Sequence, residues 1–241
     1  MSDKGDKSLT YSSPAIRDRR RRILEETRNL IAEQGIGDFS MHELCKRAGV
    51  AKRTLYNAFQ TRERLIAVAI QEYFSEYLAR INYRSPVGTL QRNVERIVAV
   101  TRRNRKIRNY IRAIMAIYFS AEVNPDLWQT MHRMGTDPNL EWIRRLQARR
   151  QLQPWVDAGQ LADDLVRFEY ATINEWARGQ ISDEDIIPRL LMSYLTFMAG
   201  ATRGTARTEI LAMIHAGMED GVDSLVAQAQ HPPRMVREKV A

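Results

Sequence analysis

Apolar residues recur three and four positions apart along most of this chain, the spacing of one helical face. Ile23, Thr27, Leu30 and Ile31 mark the first such face, on a helix that opens with Arg17–Arg22 and stops at Gly35. From Phe39 to Phe59 the chain reads as a helix, a glycine turn and a second short helix. Ser40 is placed to cap the first of these, Glu43 completes a capping box, and Phe39 with Leu44 forms a hydrophobic staple. Leu44, Cys45 and Ala48 share the inner face, and Gly49 stands where a left-handed residue ends a helix. Val50 is expected to plug the corner. In the second helix Ala51, Leu55, Ala58 and Phe59 fall on one side, with Arg53 and Asn57 opposite, flanked by Tyr56 and Thr54.

A fourth helix starts at Thr61 and runs through Leu65, Ile66, Ala69, Ile70, Tyr73, Phe74, Tyr77 and Leu78 to end before Asn82. Ser85-Pro86-Val87-Gly88 then breaks the pattern. Beyond it, helices are expected over Leu90–Thr101 and Ile107–Ser120, and from Asn124-Pro125-Asp126 onward. Asp137-Pro138 predicts a further helix start, and Pro154 an end or kink. Two long helices follow, about Asp163–Arg178 and Asp183–Ala201, the second capped by Ser182, and then one from Thr205 to about Val226. No alternating strand pattern of useful length intervenes, so the fold class is all-α. The run Leu190–Ala201 is apolar nearly all round, which calls for burial from several sides, as at a subunit interface or inside one subunit.

Charge sharpens this picture. The chain carries a formal net charge of +8, and twelve Lys/Arg face seven Asp/Glu between Arg17 and Arg64. A basic excess around two short helices favours a polyanion. The Arg17–Arg22 cluster sits at a helix N-terminus, the unfavourable end of the dipole, where a DNA phosphate would offset it; pairing with Glu25 and Glu26 is the alternative. A single cysteine fits a reducing compartment, no segment is apolar for 18 residues, and the start, MSDKGDKSLTYSS, has no hydrophobic signal region. The expectation is a cytoplasmic protein with no membrane partner.

The Phe39–Phe59 segment resembles the helix-turn-helix of the tetracycline-repressor (TetR) family of bacterial transcriptional regulators. The likeness rests on Ser40-Met41, Leu44-Cys45, Ala48-Gly49-Val50, Thr54-Leu55-Tyr56, Phe59 and Thr61-Arg62-Glu63-Arg64-Leu65. Ala51 departs from the usual Ser cap, Cys45 from a small core Ala, and Ala58 from an aromatic residue or His. The resemblance implies an N-terminal DNA-binding domain, residues 15–82, and a helical effector-binding and dimerisation domain, residues 88–227, between flexible tails at 1–14 and 228–241. It also implies a homodimer whose last long helices, around Trp176-Ala177-Arg178-Gly179-Gln180-Ile181, form a four-helix bundle across the two-fold axis. The expected partners are double-stranded DNA with a pseudo-palindromic operator and a small-molecule effector. On this reading Ser40, Tyr56 and Arg62 hold phosphates, Lys52 and Thr54 assist, and Arg53 with Asn57 reads base edges.

Met115, Tyr118, Phe119, Trp128, Met131, Met134, Trp142 and Phe168 are the kinds of residue that line apolar pockets or fill a core, and are the candidate effector contacts. The run Arg102–Arg108 could meet DNA phosphates or an acidic effector group, with solvent as the plainest destination. No enzyme is expected. His42, His132, His215 and His231 are scattered, no phosphate loop or nucleophile elbow occurs, and no metal or cofactor is implied. The other reading open to a basic helical chain is a structural protein that binds nucleic acid without sequence preference and has no effector.

Overall fold

The computed structural model describes residues 14–230 as eleven α-helices, with no strand among the described residues beyond an isolated bridge between Leu152 and Thr202. The segments 1–13 and 231–241, with His231, lie outside the described residues. Three helices, α1 (Pro14–Gln34), α2 (Met41–Ala48) and α3 (Lys52–Phe59), pack with the first turns of α4 (Arg62–Arg80) around Ile23, Leu30, Ile31, Leu44, Leu55, Phe59, Leu65 and Ile66, all 2% exposed or less. The local signals explain the boundaries. Ser40 Oγ accepts from the Glu43 amide at 3.3 Å, and Thr61 Oγ1 accepts from the Arg64 amide at 3.1 Å. Gly49 takes the left-handed conformation, φ 63°, with its amide on the last carbonyls of α2. Only half of the expected capping box forms, because the Glu43 carboxylate turns to Arg47, 3.2 Å away. Ala51 and Ala58 are exposed, correcting the inner face of α3 to Leu55 and Phe59. An eight-residue helix touching its support along one edge covers little more than one stripe.

The larger body comprises α5 (Leu90–Lys106), α6 (Arg108–Tyr118), α7 (Pro125–Ala148), α8 (Ala158–Ala177), α9 (Ile186–Ala201), α10 (Gly204–Glu219) and α11 (Val222–Gln230). Helix α4 touches α1 and α7, and α1 also touches α6, so the helix-turn-helix is joined to the body along two helices. The 81–88 connection is itself pinned. The buried Glu95 carboxylate accepts from the amides of Arg84 (2.9 Å) and Ser85 (3.1 Å), and the Arg92 guanidinium lies 3.4 Å over the Tyr83 ring.

Several expected boundaries moved. Asp137-Pro138 does not start a helix, since Pro138 sits inside an unbroken α7. Met131, Thr136, Asn139, Trp142 and Ile143 are buried on both sides of it, and the Asn139 side chain donates to the Gly135 carbonyl at 3.0 Å. Packing across four turns outweighs the roughly 3 kcal/mol a helical proline costs. Pro154 lies in the connection to α8, which starts earlier than expected, at Ala158, with Asp157 accepting from the Gln160 amide at 2.8 Å. Ser182 caps the turn ahead of α9 by accepting from Asp185 N, and the helix proper begins at Ile186. The last predicted helix is two, α10 and α11, broken at Gly221 with φ 80°. None of the helices among the described residues is long and apolar enough to cross a membrane.

Candidate DNA-reading surface and interior cavity

Helix α3 buries Leu55 and Phe59 and turns Lys52, Arg53, Tyr56 and Asn57 outward, with Thr54 half-buried. Lys52 Nζ stands 5.8 Å over the Tyr56 ring. Neither Arg53 nor Asn57 makes an ion pair or side-chain hydrogen bond among the described residues, so both are available to an outside partner. Ser40, at the start of α2, is half-buried and its hydroxyl oxygen is engaged by Glu43 N, which leaves the O–H free to donate. Arg62 is differently disposed. Its guanidinium donates to the Ile36 carbonyl, lies 5.7 Å over the Phe39 ring and stands 3.7 Å from Glu63, tying the α1–α2 loop to α4.

The arginines of α1 are divided. Arg20 pairs with Glu72 of α4 and lies 5.3 Å over the Phe59 ring, while Arg22 Nε donates to the Ala48 carbonyl at 2.9 Å. Arg21 pairs with Asp18 at 3.2 Å. The alternative pairing with Glu25 and Glu26 does not form among the described residues: Arg20 and Arg22 tie α1 to other helices, Arg21 pairs within α1, and Arg17 and Arg19 stay exposed. Arg47 grips Glu33 of α1 by two hydrogen bonds, 2.9 and 2.7 Å, and these hold the Glu33 carboxyl below its ordinary pKa.

Inside the body, α4 to α8 enclose a cavity of about 60 Å³. Its walls are mostly apolar, including Phe74, Leu78, Met115, Met131, Met134 and Ile173. Into this lining project Arg96, Asn104, Glu169 and Tyr170. Arg96 is 7% exposed; its Nη2 donates to Asn139 Oδ1 at 3.1 Å and its Nη1 stands 3.9 Å from Glu169. Arg96 Nε and Asn104 Oδ1 are buried with no hydrogen-bond partner among the described residues. Burial drives the Tyr170 phenol far above its ordinary pKa, and its O–H donates to the Met131 carbonyl at 2.9 Å. The cavity therefore offers one open donor and one open acceptor in an apolar shell, with its buried cation already faced by a carboxylate.

Of the candidate effector contacts, Met115, Met131 and Met134 line this cavity. Tyr118 and Trp128 stack on each other (5.5 Å) behind it, tied through His132: Tyr118 Oη meets Nδ1 at 2.7 Å and Nε2 meets Asp163 at 3.0 Å. Phe168 lies beside Phe197, rings 5.4 Å apart; Trp142 packs near Tyr194; Phe119, at the end of α6, is 48% exposed. The polar group Arg96–Asn104–Glu169 escaped sequence reasoning. Its one signal was a polar residue on each side of Val100, at helical spacing, inside an apolar face. Arg103 and Arg108, from the basic run, fold back onto rings, Arg103 over Tyr73 at 5.3 Å and Arg108 over Trp176 at 4.9 Å.

Described residues that are helical throughout, with a glycine-turned helix pair, an outward polar recognition helix and a larger helical body, define a helix-turn-helix DNA-binding protein. Residues 23–69 match the family described as bacterial regulatory proteins, tetR family. The HTH-type transcriptional regulator UidR of Escherichia coli K12 is 26% identical over 157 residues, 64% of this chain and 79% of that protein. YvaF of Bacillus subtilis, also an HTH-type transcriptional regulator, is 34% identical over 56 residues, 23% of this chain and 29% of its own. Among solved structures, full-length native TylP of Streptomyces fradiae shares the fold with TM-score 0.62 at 19% identity, covering 90% of this chain and 92% of that one. Salmonella enterica GusR does so with TM-score 0.54 at 24% identity, over 76% and 97%. Residues 23–69 thus form a DNA-binding head of the tetR family, and the chain is similar to transcriptional regulators of that family.

Proposed function

We propose that this regulator is a homodimeric repressor that binds a pseudo-palindromic operator and releases it when a small molecule occupies the body. The observation that carries the reading is a shared helix. Phe74 and Leu78 in the second half of α4 line the interior cavity, while Thr61, Leu65 and Ile66 at its start support the helix-turn-helix. A ligand that enlarges the cavity must displace α4, and with it the spacing of two recognition helices that a duplex holds fixed. At about 60 Å³ the cavity is below the size of ordinary ligand sites, so entry of an effector has to open it.

Within the operator complex Arg53 and Asn57 read base edges, and Ser40, Lys52, Thr54 and Tyr56 hold phosphates. Arg62 acts by fixing the loop before α2, and through it Ser40. The dimer forms through α8 and α9, where Phe197, Thr196, Gly200 and Ala171 are exposed. The effector suited to the lining is a mainly apolar, neutral molecule whose polar end both accepts from Arg96 Nε and donates to Asn104 Oδ1. The test is selection of bound sequences from random duplexes. Inverted half-sites support the reading, whereas equal retention of all sequences against competitor DNA supports a nonspecific structural protein.

A further inference from the structure

Between α1 and the α5–α6 corner lies an open cleft of about 450 Å³, remote in sequence from the recognition helix and separate from the interior cavity. We propose that this cleft is a second ligand site, built for a phosphate group and bridging the DNA-binding head to the body.

Three cations from two elements face it: Arg28 of α1, and Arg103 and Lys106 of α5. The Arg28 and Arg103 guanidinium carbons stand 5.4 and 5.3 Å from the centre of one ring, that of Tyr73. None of the three cations makes an ion pair among the described residues. Glu25 is the single carboxylate on the wall, so three positive charges face one negative charge. Two guanidiniums drawn to one aromatic ring repel each other, and an anion between them offsets that cost.

The hydrogen-bond inventory points the same way. Tyr73 Oη, Tyr110 Oη and Arg103 Nε are buried and have no partner among the described residues. Tyr110 is only 4% exposed, and burial pushes its phenol well above the ordinary pKa, which leaves it a neutral donor. Buried polar groups are nearly always paired, and an acceptor-rich ligand that these three side chains turn to meet would satisfy donors left without a partner beside the cleft. A phosphate brings up to two charges and three acceptor oxygens, which match the charge excess and the donors better than a monocarboxylate. Because α1 carries the head and α5 and α6 belong to the body, a phosphate held here stabilises the arrangement that closes the cleft. The phosphate could come from a free small molecule or from a DNA backbone.

Pyrophosphate titration of the full chain at constant ionic strength, followed by melting temperature and calorimetry, tests the proposal. Saturable binding is expected, weakened about tenfold by Lys106→Gln, which removes a charge, and by Tyr110→Phe, which removes a hydroxyl donor. Lys106 is exposed, so its variant keeps the fold, which circular dichroism verifies. Arg53→Ala should bind pyrophosphate as the wild type does. Absence of saturable binding, wild-type affinity in both cleft variants, or loss in Arg53→Ala alone would overturn the site. Adding random-sequence duplex separates the sources. Displacement of pyrophosphate assigns the cleft to DNA backbone, and retention assigns it to a free phosphorylated molecule.

Discussion

Each side chain on the outer edge of α3 is defined by what it lacks inside the molecule. Arg53 and Asn57 have no side-chain partner among the described residues, while Tyr56, 41% exposed, carries Lys52 over its ring. Asn57→Ala should cost roughly 1–3 kcal/mol on the selected sequence and little on scrambled duplex. Tyr56→Phe keeps the ring and deletes the hydroxyl, so it should weaken both duplexes alike. Fluorescence anisotropy at two salt concentrations measures this. Equal losses on both duplexes for Asn57→Ala would mean that α3 touches only backbone. Arg62 shows how tertiary contact adds to what a residue's type suggests. By sequence it suits a phosphate, and in the fold its guanidinium also donates to the Ile36 carbonyl and lies over the Phe39 ring.

At the scale of elements, the interior polar group links α5, α7 and α8 through Arg96, Asn139 and Glu169. Arg96→Met leaves the Glu169 carboxylate buried without its cation, and should destabilise by roughly 3 kcal/mol in urea unfolding. Adding Glu169→Gln should recover much of that loss; a double variant as unstable as the single would show that packing, not charge, sets the cost. Helix α7 makes a second case. Pro138 has no amide to offer the Met134 carbonyl, and Met134 lines the cavity. Pro138→Ala restores that bond and should stabilise by about 1–3 kcal/mol. A lower denaturation midpoint would instead mean that the ring's own packing dominates.

For the whole molecule, the apolar character of α9 divides between two destinations. Leu190, Leu191, Leu195 and Met198 are buried within the subunit, so the expectation that this helix is buried from several sides is largely met by its own body. Phe197 remains 40% exposed beside Phe168. Phe197→Arg should therefore convert a dimer to monomer in light scattering with circular dichroism unchanged. Leu195→Arg, by contrast, should unfold the subunit, because its site is closed inside one chain. A dimeric Phe197→Arg variant would move the interface off this face.

The helix-turn-helix was legible in the sequence because its signals are local. Ser40, Gly49 and Thr61 act within four residues, and the spacing of Leu44, Leu55 and Phe59 follows from helix geometry alone. The all-α class followed in the same way, from periodicity that no distant contact can erase. What the tertiary structure decided is where long, charged side chains go and which breaks are overridden. Arg20 reaches Glu72, Arg108 reaches Trp176 and Arg96 reaches Glu169, across 52, 68 and 73 positions of chain. A flexible arginine reads the same in sequence whether it meets water, a ring or a buried carboxylate. Pro138 likewise carries a local message to begin a helix, and loses to burial on both of its sides. Caps and periodicity are settled within one or two turns, whereas the cavity, its polar group and the cationic cleft exist only where helices far apart in the chain meet.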